Sequence, residues 1–290
     1  MKVLQHFLLL TAATVIIFSC KKSSSTGNNN TNPATAQTFS NVSYGTDAAQ
    51  KMDVYLPANR STTSTKVMII IHGGAWSGGD KSDVNSFIDT LKKRQPDYAI
   101  FNINYRLSTG TANVFPTQEN DVKAAIEFIY SKRSEYLISD KFVLNGQSAG
   151  AHLALLHAYK NQTPVKIKAV IDFFGPTDMV DLYNNPGLVP AASIALIVGA
   201  TPTGNPTIYQ QSSPINFVNM QSCPTIILQG GADPLVNAAT QSVPLKNKLT
   251  TTGIVNQYVF YPTGGHGDWN AATYTDAFNN IQVFLAANVQ

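Results

Sequence analysis

The clearest chemical signal in the sequence is the pentapeptide GQSAG at residues 146–150. It follows the apolar run 142–144 and opens a stretch rich in Ala and Leu, so we predict a strand before it and a helix after it. A serine on such a sharp turn is exposed as a nucleophile, and the N-terminus of the following helix stabilises developing negative charge. We therefore predict that Ser148 is a nucleophile.

A serine hydroxyl needs a base that accepts its proton, and the base needs an acid that orients it. With this motif the chain order is serine, acid, histidine. Asp233 follows the apolar run 225–228, and His266 follows the strand-like segment 257–261. Both lie where open α/β sheets place functional groups, at the carboxyl ends of strands. We predict Asp233 as the acid and His266 as the base.

Other histidines could in principle act as the base. His72 precedes the serine in the sequence, and His152 lies one helical turn beyond it, so hydrogen bonds that support the loop and the helix explain them better. His6 falls in the N-terminal apolar segment, and His157 falls in the middle of a predicted helix.

The acid has one serious alternative. Asp178 follows the apolar segment 167–173, and some hydrolases take their acid from one strand earlier. Asp268 lies too close to His266 in the sequence to orient it easily.

A second motif, HGGAW at residues 72–76, follows the apolar run 67–71. Glycines let backbone N–H groups turn toward a site, so this loop is a candidate for half of an oxyanion hole, although a tight turn alone would also explain it. We predict the donors to be the N–H of Ala149 and one or two N–H groups from Gly73, Gly74 and Ala75. Trp76 is predicted to contact substrate.

The elements that must position these residues alternate between strand and helix. Residues 51–57 alternate as a half-buried strand should, and apolar runs bounded by Gly, Pro or Asn occur at 67–71, 98–103, 141–144, 167–173 and 225–228, with a further strand predicted at 257–261. Helical patterns occur at 118–133, 148–159, 243–249 and 277–285. This alternation predicts a doubly wound α/β domain with a mostly parallel sheet. The segment 176–222, irregular and rich in Pro and Asn, is predicted to be a cap or loop insertion.

The N-terminus is typical of an exported lipoprotein. Residues 1–19 combine a positive start with an apolar run that ends just before Cys20, which predicts a lipoprotein signal peptide and a lipidated Cys20. An ordinary signal peptide with an incidental cysteine, or a short buried helix, would also fit. Residues 20–40 are polar and predict a flexible tether, followed by the folded domain at 41–290. The expected location is the bacterial cell envelope, with the membrane contacted through the lipid anchor.

Composition excludes other classes. The chain has 290 residues, 43% hydrophobic and 13% charged, with a net charge of +3. No run of Lys and Arg is interleaved with aromatic residues, so no nucleic-acid partner is expected. The histidines lack zinc-ligand spacing, and we expect no metal or organic cofactor. Cys223, just before the run 225–228, is predicted to be a small buried residue.

Taken together, these blocks resemble α/β-hydrolase esterases of the hormone-sensitive-lipase, kynurenine-formamidase and bacterial acetyl/feruloyl-esterase-like families. The matching blocks include KMDVYLP (51–57), IHGGAWSGGDK (71–81), DKFVLNGQSAGAHLA (140–154), CPTIILQGGADPLV (223–236) and GGHG (264–267). The HGGxW form is similar to the formamidase and acetyl/feruloyl-esterase branch. Ala75 stands where a third glycine is frequent, which leaves the second loop donor open.

The resemblance implies an α/β-hydrolase fold, with a mostly parallel eight-stranded sheet and helices on both faces. It also implies a serine carboxylesterase that hydrolyses short-chain acyl esters through an acyl-enzyme, with acetyl or feruloyl groups on polysaccharides as plausible substrates. Two alternatives stay open at this point. One is an amidase or peptidase with the same triad, and the other is a catalytically silent binding lipoprotein on this scaffold.

Overall fold

The computed structural model describes residues 33–290, so the predicted signal peptide, Cys20 and the tether up to residue 32 lie outside the described residues. The strands of the described part are β1 (Gln37–Ser43), β2 (Lys51–Leu56), β3 (Lys66–Ile71), β4 (Tyr98–Ile103), β5 (Phe142–Gln147), β6 (Ala169–Phe173), β7 (Thr225–Gly230) and β8 (Asn256–Tyr261). They form one sheet in the order β1-β2-β4-β3-β5-β6-β7-β8. The β1–β2 and β2–β4 pairs are antiparallel and the other pairs are parallel, so the predicted mostly parallel eight-stranded sheet is confirmed.

Helices connect the parallel strands, and a last helix follows β8. They are α1 (Asn85–Arg94), α2 (Thr117–Ser131), α3 (Arg133–Tyr136), α4 (Ala149–Lys160), α5 (Met179–Asn184), α6 (Ala191–Val198), α7 (Pro206–Gln211), α8 (Ser242–Thr251) and α9 (Ala271–Asn288), with short 3-10 helices at Lys81–Val84 and Pro214–Phe217. Across residues 33–290, every helix is too short or too polar to span a bilayer.

Both faces of the sheet are covered, because successive side chains of a strand point to opposite sides. In β3, Val67 and Ile69 belong to the same core cluster as residues of α2, α4 and α8, whereas Met68 and Ile70 pack with residues of α1 and α9. This explains why the strand reads as a continuous apolar run. Helix α4 is buried on all sides from Ala149 to Tyr159. The helix that begins at the predicted nucleophile is thus the most enclosed helix of the α2–α4–α8 face.

The N-terminal boundary of the domain differs from the prediction. Strand β1 starts at residue 37, inside the segment 20–40 that we expected to be a tether. Phe39 and Val42 both pack against the core although they are three residues apart, because a bulge between them breaks the alternation of the strand. At the bulge, Asn41 adopts φ 56° and its N–H donates a 2.8 Å hydrogen bond to Asp53 Oδ1. Because of this bulge, the apolar residues of β1 do not alternate, and their spacing does not predict a strand.

The segment 176–222 contains three short helices, α5 to α7, and the second 3-10 helix. It is connected to residues 231–241 between β7 and α8, which include Asp233 and are called the acid loop below, by a 2.9 Å hydrogen bond that Leu188 N–H donates to the carbonyl oxygen of Pro234. Cys223, which follows this segment, is 2% exposed, as predicted for a small buried residue at the start of β7.

A buried carboxyl lies in the middle of the sheet. Asp172 of β6 has no exposed surface, and its Oδ1 accepts a 2.8 Å hydrogen bond from Gly175 N–H, while Oδ2 has no partner within the described residues. Tyr159 of α4 and Tyr258 of β8 interact electrostatically with this carboxyl group. Burial raises the pKa of Asp172 to about 7, because the ionised form loses its hydration.

This raised pKa predicts a specific pH dependence of stability. Between about pH 4 and 7 the folded protein keeps the proton on Asp172 while the unfolded chain releases it, so this group's contribution to the free energy of unfolding falls as pH rises. Asp172→Asn removes the titration and keeps the hydrogen-bond acceptor. We expect the difference in the free energy of unfolding, variant minus wild type, to increase by roughly 2–4 kcal/mol between about pH 4 and 7. Urea unfolding at several pH values measures it.

The exposed Asp140 provides the matched control. Asp140→Asn should follow the wild-type stability curve at every pH, and contributions from buried histidines cancel because all three proteins share them. Parallel curves for wild type and Asp172→Asn would contradict the prediction.

Candidate active site

Ser148 is the single residue between β5 and α4. Its backbone adopts φ 53° and ψ −120°, a conformation that costs energy for a residue with a side chain. Its N–H donates a 2.8 Å hydrogen bond to the carbonyl oxygen of Phe173 at the end of β6, which holds the turn against the sheet. The strand–turn–helix context predicted for the serine is present.

The two glycines of the GQSAG motif let three backbones come together at this turn. A Cβ atom on Gly146 would lie 2.3 Å from the carbonyl carbon and oxygen of Gly150. A Cβ atom on Gly150 would lie 2.1 Å from the carbonyl oxygen of Ile71, at the end of β3. These neighbours are backbone atoms in a close-packed interior, so they have no room to move aside. Glycine is therefore required at both positions by packing.

The structure brings the three predicted catalytic side chains into one hydrogen-bonded chain. His266 Nε2 lies 2.8 Å from Ser148 Oγ, and His266 Nδ1 lies 2.7 Å from Asp233 Oδ2. With Nδ1 protonated and bonded to the carboxylate, Nε2 is free to accept the serine proton. The geometry is that of an activated nucleophile with an oriented base.

The carboxylate of Asp233 is held firmly. Its Oδ1 accepts hydrogen bonds from the N–H groups of Leu235 (2.8 Å) and Val236 (2.9 Å), and its Oδ2 accepts one from Gln229 Nε2 (3.1 Å). The side chain of Asp233 is 1% exposed, whereas that of His266 is 14% exposed. A buried carboxylate needs such donors, because it has lost its water shell.

The alternative acids serve other purposes. Asp178 is the N-cap of α5, where its Oδ1 accepts hydrogen bonds from the N–H groups of Val180 (2.9 Å) and Asp181 (3.1 Å). Its carboxylate is therefore committed to the helix terminus. Since Asp233 takes Nδ1 of His266, Asp268 is not the orienting acid either.

The competing histidines of the described residues are buried supports. His72 stacks on Tyr105 with ring centroids 4.4 Å apart, and its Nδ1 lies 2.7 Å from the carbonyl oxygen of Gly73. Burial lowers the pKa of His72, and lowers the pKa of His152 to about 4 and of His157 to about 3. None of these rings contacts Ser148 Oγ through a hydrogen bond, and His6 lies outside the described residues.

The HGGAW loop lies against the nucleophile. A Cβ atom on Gly73 would lie 3.3 Å from Ser148 Cβ, which shows how closely the backbone approaches. Gly74, Ala75 and Trp76 all have positive φ, of 108°, 48° and 58°. Within the described part of the chain, the N–H groups of all four predicted donors, Gly73, Gly74, Ala75 and Ala149, have no protein acceptor. These unpaired donors fit the predicted oxyanion hole, and which of them bind the oxyanion stays a prediction.

Trp76 has a role that the sequence analysis missed. Its side chain is 3% exposed, and its indole N–H donates a 3.1 Å hydrogen bond to His152 Nδ1. His152 Nε2 lies 2.7 Å from the carbonyl oxygen of Ser212, to which it donates because Nδ1 is the acceptor from Trp76. Trp76 therefore anchors the HGGAW loop to α4 and to the segment 176–222. It also borders the cavity, and direct contact with substrate stays a prediction.

Ser148 and His266 open into a cavity of about 390 Å³. Its walls are mainly apolar and include Val84, Phe174, Pro176, Leu182, Val189, Leu235 and Val236. Three of these, Pro176, Leu182 and Val189, come from the segment 176–222. Among the described residues of the lining, Asp83 carries the one formal charge, and no Lys or Arg is present. Such a cavity favours an uncharged, apolar group next to the nucleophile.

Comparison with known proteins agrees with this geometry. A family model described as BD-FAE matches residues 52–249, more than half of the chain. The chain belongs to the BD-FAE family. The matched region includes Ser148 and Asp233 but ends before His266, which the fold itself brings to the serine.

Individual relatives of this BD-FAE chain include curated proteins and solved structures. Esterase LipQ of Mycobacterium tuberculosis is 26% identical over 253 residues, which cover 82% of this chain and 59% of LipQ. Kynurenine formamidase avaC of Aspergillus versicolor is 34% identical over 134 residues, 41% of this chain and 46% of avaC. A structure described as a truncated form of carbohydrate esterase from gut microbiota is 27% identical with a TM-score of 0.75, and the match covers 89% of this chain and 98% of that one.

These matches confirm the predicted resemblance to α/β-hydrolase esterases. This BD-FAE chain spans little more than half the length of the curated relative LipQ.

Aromatic residues around His266 were also not predicted. The ring centroids of Phe174 and His266 lie 4.6 Å apart, and those of Phe174 and Trp269 lie 5.5 Å apart. Trp269 Nε1 donates a 2.9 Å hydrogen bond to the carbonyl oxygen of Gly265, which fixes the loop of the histidine. The signal that could have revealed Trp269 was its position three residues after the base.

The glycine requirement in this BD-FAE chain gives a direct test. We expect Gly146→Ala to destabilise the protein by at least about 1–3 kcal/mol, because the added methyl group must displace the backbone of Gly150. Thermal and urea unfolding measure this change. Gly78→Ala is the matched control, since a Cβ atom there meets its nearest neighbour at 3.6 Å. Equal losses of stability in the two variants would show that the close approach at the elbow does not constrain the fold.

Proposed function

We propose that this protein is a serine carboxylesterase that hydrolyses short-chain acyl esters. The observation that carries the proposal is the chain Ser148–His266–Asp233, with distances of 2.8 and 2.7 Å, at the base of an apolar cavity beside unpaired backbone N–H groups. This arrangement supplies a nucleophile, a base and donors for an oxyanion in one place.

The steps follow from the geometry. Ser148 Oγ attacks the ester carbonyl while His266 Nε2 accepts the hydroxyl proton, and the carbonyl oxygen becomes an oxyanion that the loop and Ala149 N–H groups stabilise. Collapse of the tetrahedral intermediate breaks the bond to the alcohol, to which His266 returns the proton. Water then attacks the acyl-enzyme with His266 again as the base, and the acid and free serine are released.

Acetyl or feruloyl groups on polysaccharides are the substrates we propose. The support is the similarity to a carbohydrate esterase of gut microbiota over nearly the full length of that structure, and the mainly apolar walls of the cavity. The apolar lining suits an acyl group, while the more polar alcohol is expected to face solvent.

A second candidate is hydrolysis of an amide or formamide by the same triad. The partial match to a kynurenine formamidase is the observation that favours it. A silent binding protein fits less well, because the three catalytic side chains are aligned within hydrogen-bonding distance.

A panel of p-nitrophenyl esters tests the proposed function. We expect turnover that is highest for acetate and falls steeply with acyl chain length, and labelling of Ser148 by a fluorophosphonate probe, in which Oγ displaces fluoride. Ser148→Ala should lower kcat by at least about a thousandfold, because the nucleophile and base act as a unit.

The exposed Ser86 offers the same substitution away from the site, and Ser86→Ala should retain wild-type kcat. A matched anilide separates the two candidate functions: faster cleavage of the anilide than of the ester would favour the amidase. Absence of both turnover and probe labelling in wild type would refute the catalytic proposal.

We also propose that the protein is a lipoprotein anchored in the bacterial cell envelope through Cys20, which lies outside the described residues. The support is the apolar segment that ends at this cysteine. In cells fed a radiolabelled fatty acid, wild type should incorporate label and sediment with membranes. Cys20→Ala should lose both properties but keep esterase activity. Label in the Cys20→Ala variant would exclude this cysteine as the site of acylation.

A further inference from the structure

A fully buried amide lies directly behind the catalytic acid. Gln229 is the fifth residue of β7 and has no exposed surface, although the strand is otherwise mainly apolar. Burial of an unpaired amide would cost about 1–3 kcal/mol, so its hydrogen bonds identify what it does.

The amide of Gln229 clamps the acid loop. Its Nε2 donates toward Asp233 Oδ2 at 3.1 Å, the carbonyl oxygen of Val236 at 3.1 Å and the carbonyl oxygen of Gly230 at 3.0 Å. Its Oε1 accepts a 2.6 Å hydrogen bond from Ser242 Oγ at the start of α8. The reversed amide would place Oε1 against three acceptor oxygens, so Ser242 and the acid loop together fix one orientation.

With Gln229 in place, the carboxylate of Asp233 is saturated. A carboxylate has about four lone-pair sites. Two N–H groups of the acid loop fill those of Oδ1, while His266 and Gln229 share Oδ2. Rotation of the carboxylate would break four hydrogen bonds at once, and the side chain of Asp233 is too buried for water to replace them.

We propose that Gln229 is a positioning residue that holds Asp233 Oδ2 against the imidazole of His266. The proposal rests on the proposed hydrolase function of the same triad. Gln229 does not contact the cavity or the serine, so it acts on the reaction only through the acid.

The titratable groups around Gln229 are few. Asp233 accepts its hydrogen bond, and His266 is the next group along the chain of contacts. The neighbouring elements contribute Asp172 from β6, Tyr258 and Tyr261 from β8, and Asp178 and Asp181 near the start of α8; in the described residues none of them is hydrogen-bonded to Gln229. A change of the side chain at residue 229 will therefore act on the reaction mainly through the Asp233–His266 pair.

Gln229→Met removes the donors and keeps the volume of the side chain. We expect kcat on p-nitrophenyl acetate to fall about ten- to a hundredfold, the loss expected for one hydrogen bond to a charged group, with KM within about twofold of wild type. Rates are expressed per active site titrated with the fluorophosphonate, which excludes misfolded protein from the comparison. Gln257→Met on β8 is the matched control: it loses a 2.8 Å bond to Asn280 Oδ1 far from the acid and should keep wild-type kcat.

Gln229→Glu supplies a readout that a purely structural defect would not change. Two carboxyl groups in contact do not both ionise, and residue 229 has no exposed surface, so the new carboxyl keeps its proton and donates an O–H to Asp233 Oδ2 in place of the amide. We therefore expect kcat in Gln229→Glu to stay within about fivefold of wild type, well above that of Gln229→Met. If Gln229→Met does not fold, Ser242→Ala tests the proposal instead. It keeps Gln229 but removes the hydrogen bond to Oε1, so the amide is held less firmly against the acid loop. Its kcat should fall at least about threefold with KM unchanged.

Several outcomes would overturn this inference. They are wild-type kcat in folded Gln229→Met, wild-type kcat in Ser242→Ala, and a kcat in Gln229→Glu as low as that of Gln229→Met. Each of these presupposes active wild-type enzyme. A wild type that hydrolyses no ester and takes no probe would instead defeat the proposed function, so the two failures are distinguishable.

Discussion

The close approach of three backbones at the elbow is the constraint on which the rest of the site depends. Strand β5 and helix α4 meet at Ser148, and the end of β3 lies against the first turn of that helix. The unfavourable backbone conformation of the serine costs on the order of 1–3 kcal/mol. The hydrogen bond to Phe173 and the complete burial of α4 offset this cost, so the nucleophile is held by the core of the domain rather than by a flexible loop.

The parallel sheet explains how distant residues meet at this serine. The acid and the base follow neighbouring strands, β7 and β8, and parallel strands deliver their carboxyl ends to one edge of the sheet. Each loop is then fixed separately. Backbone N–H groups and Gln229 hold Asp233, while Phe174 and Trp269 confine the loop and ring of His266. Alignment within hydrogen-bonding distance is a property of these supports as much as of the triad itself.

The sequence predicted the central strands and the triad because both have strong local signals. Continuous apolar runs mark β3 to β7, and the strand–turn–helix context singles out Ser148. Strand β1 escaped notice because the bulge at Asn41 breaks its alternation. The anchoring role of Trp76 depends on His152, and the clamp at Gln229 depends on Ser242. Both are contacts between residues distant in sequence, which periodicity and motif spacing do not encode.

The hydrogen bond between Leu188 and Pro234 links the wall of the cavity beside Ser148 to the loop of Asp233. Val189, next to Leu188, lines the cavity, and Asp233 immediately precedes Pro234. For the proposed esterase, substrate preference and turnover are consequently not independent traits. An evolving lineage that remodels this wall to accept a different acyl group will also shift the acid loop, so new specificities should arise together with compensating changes near residue 234.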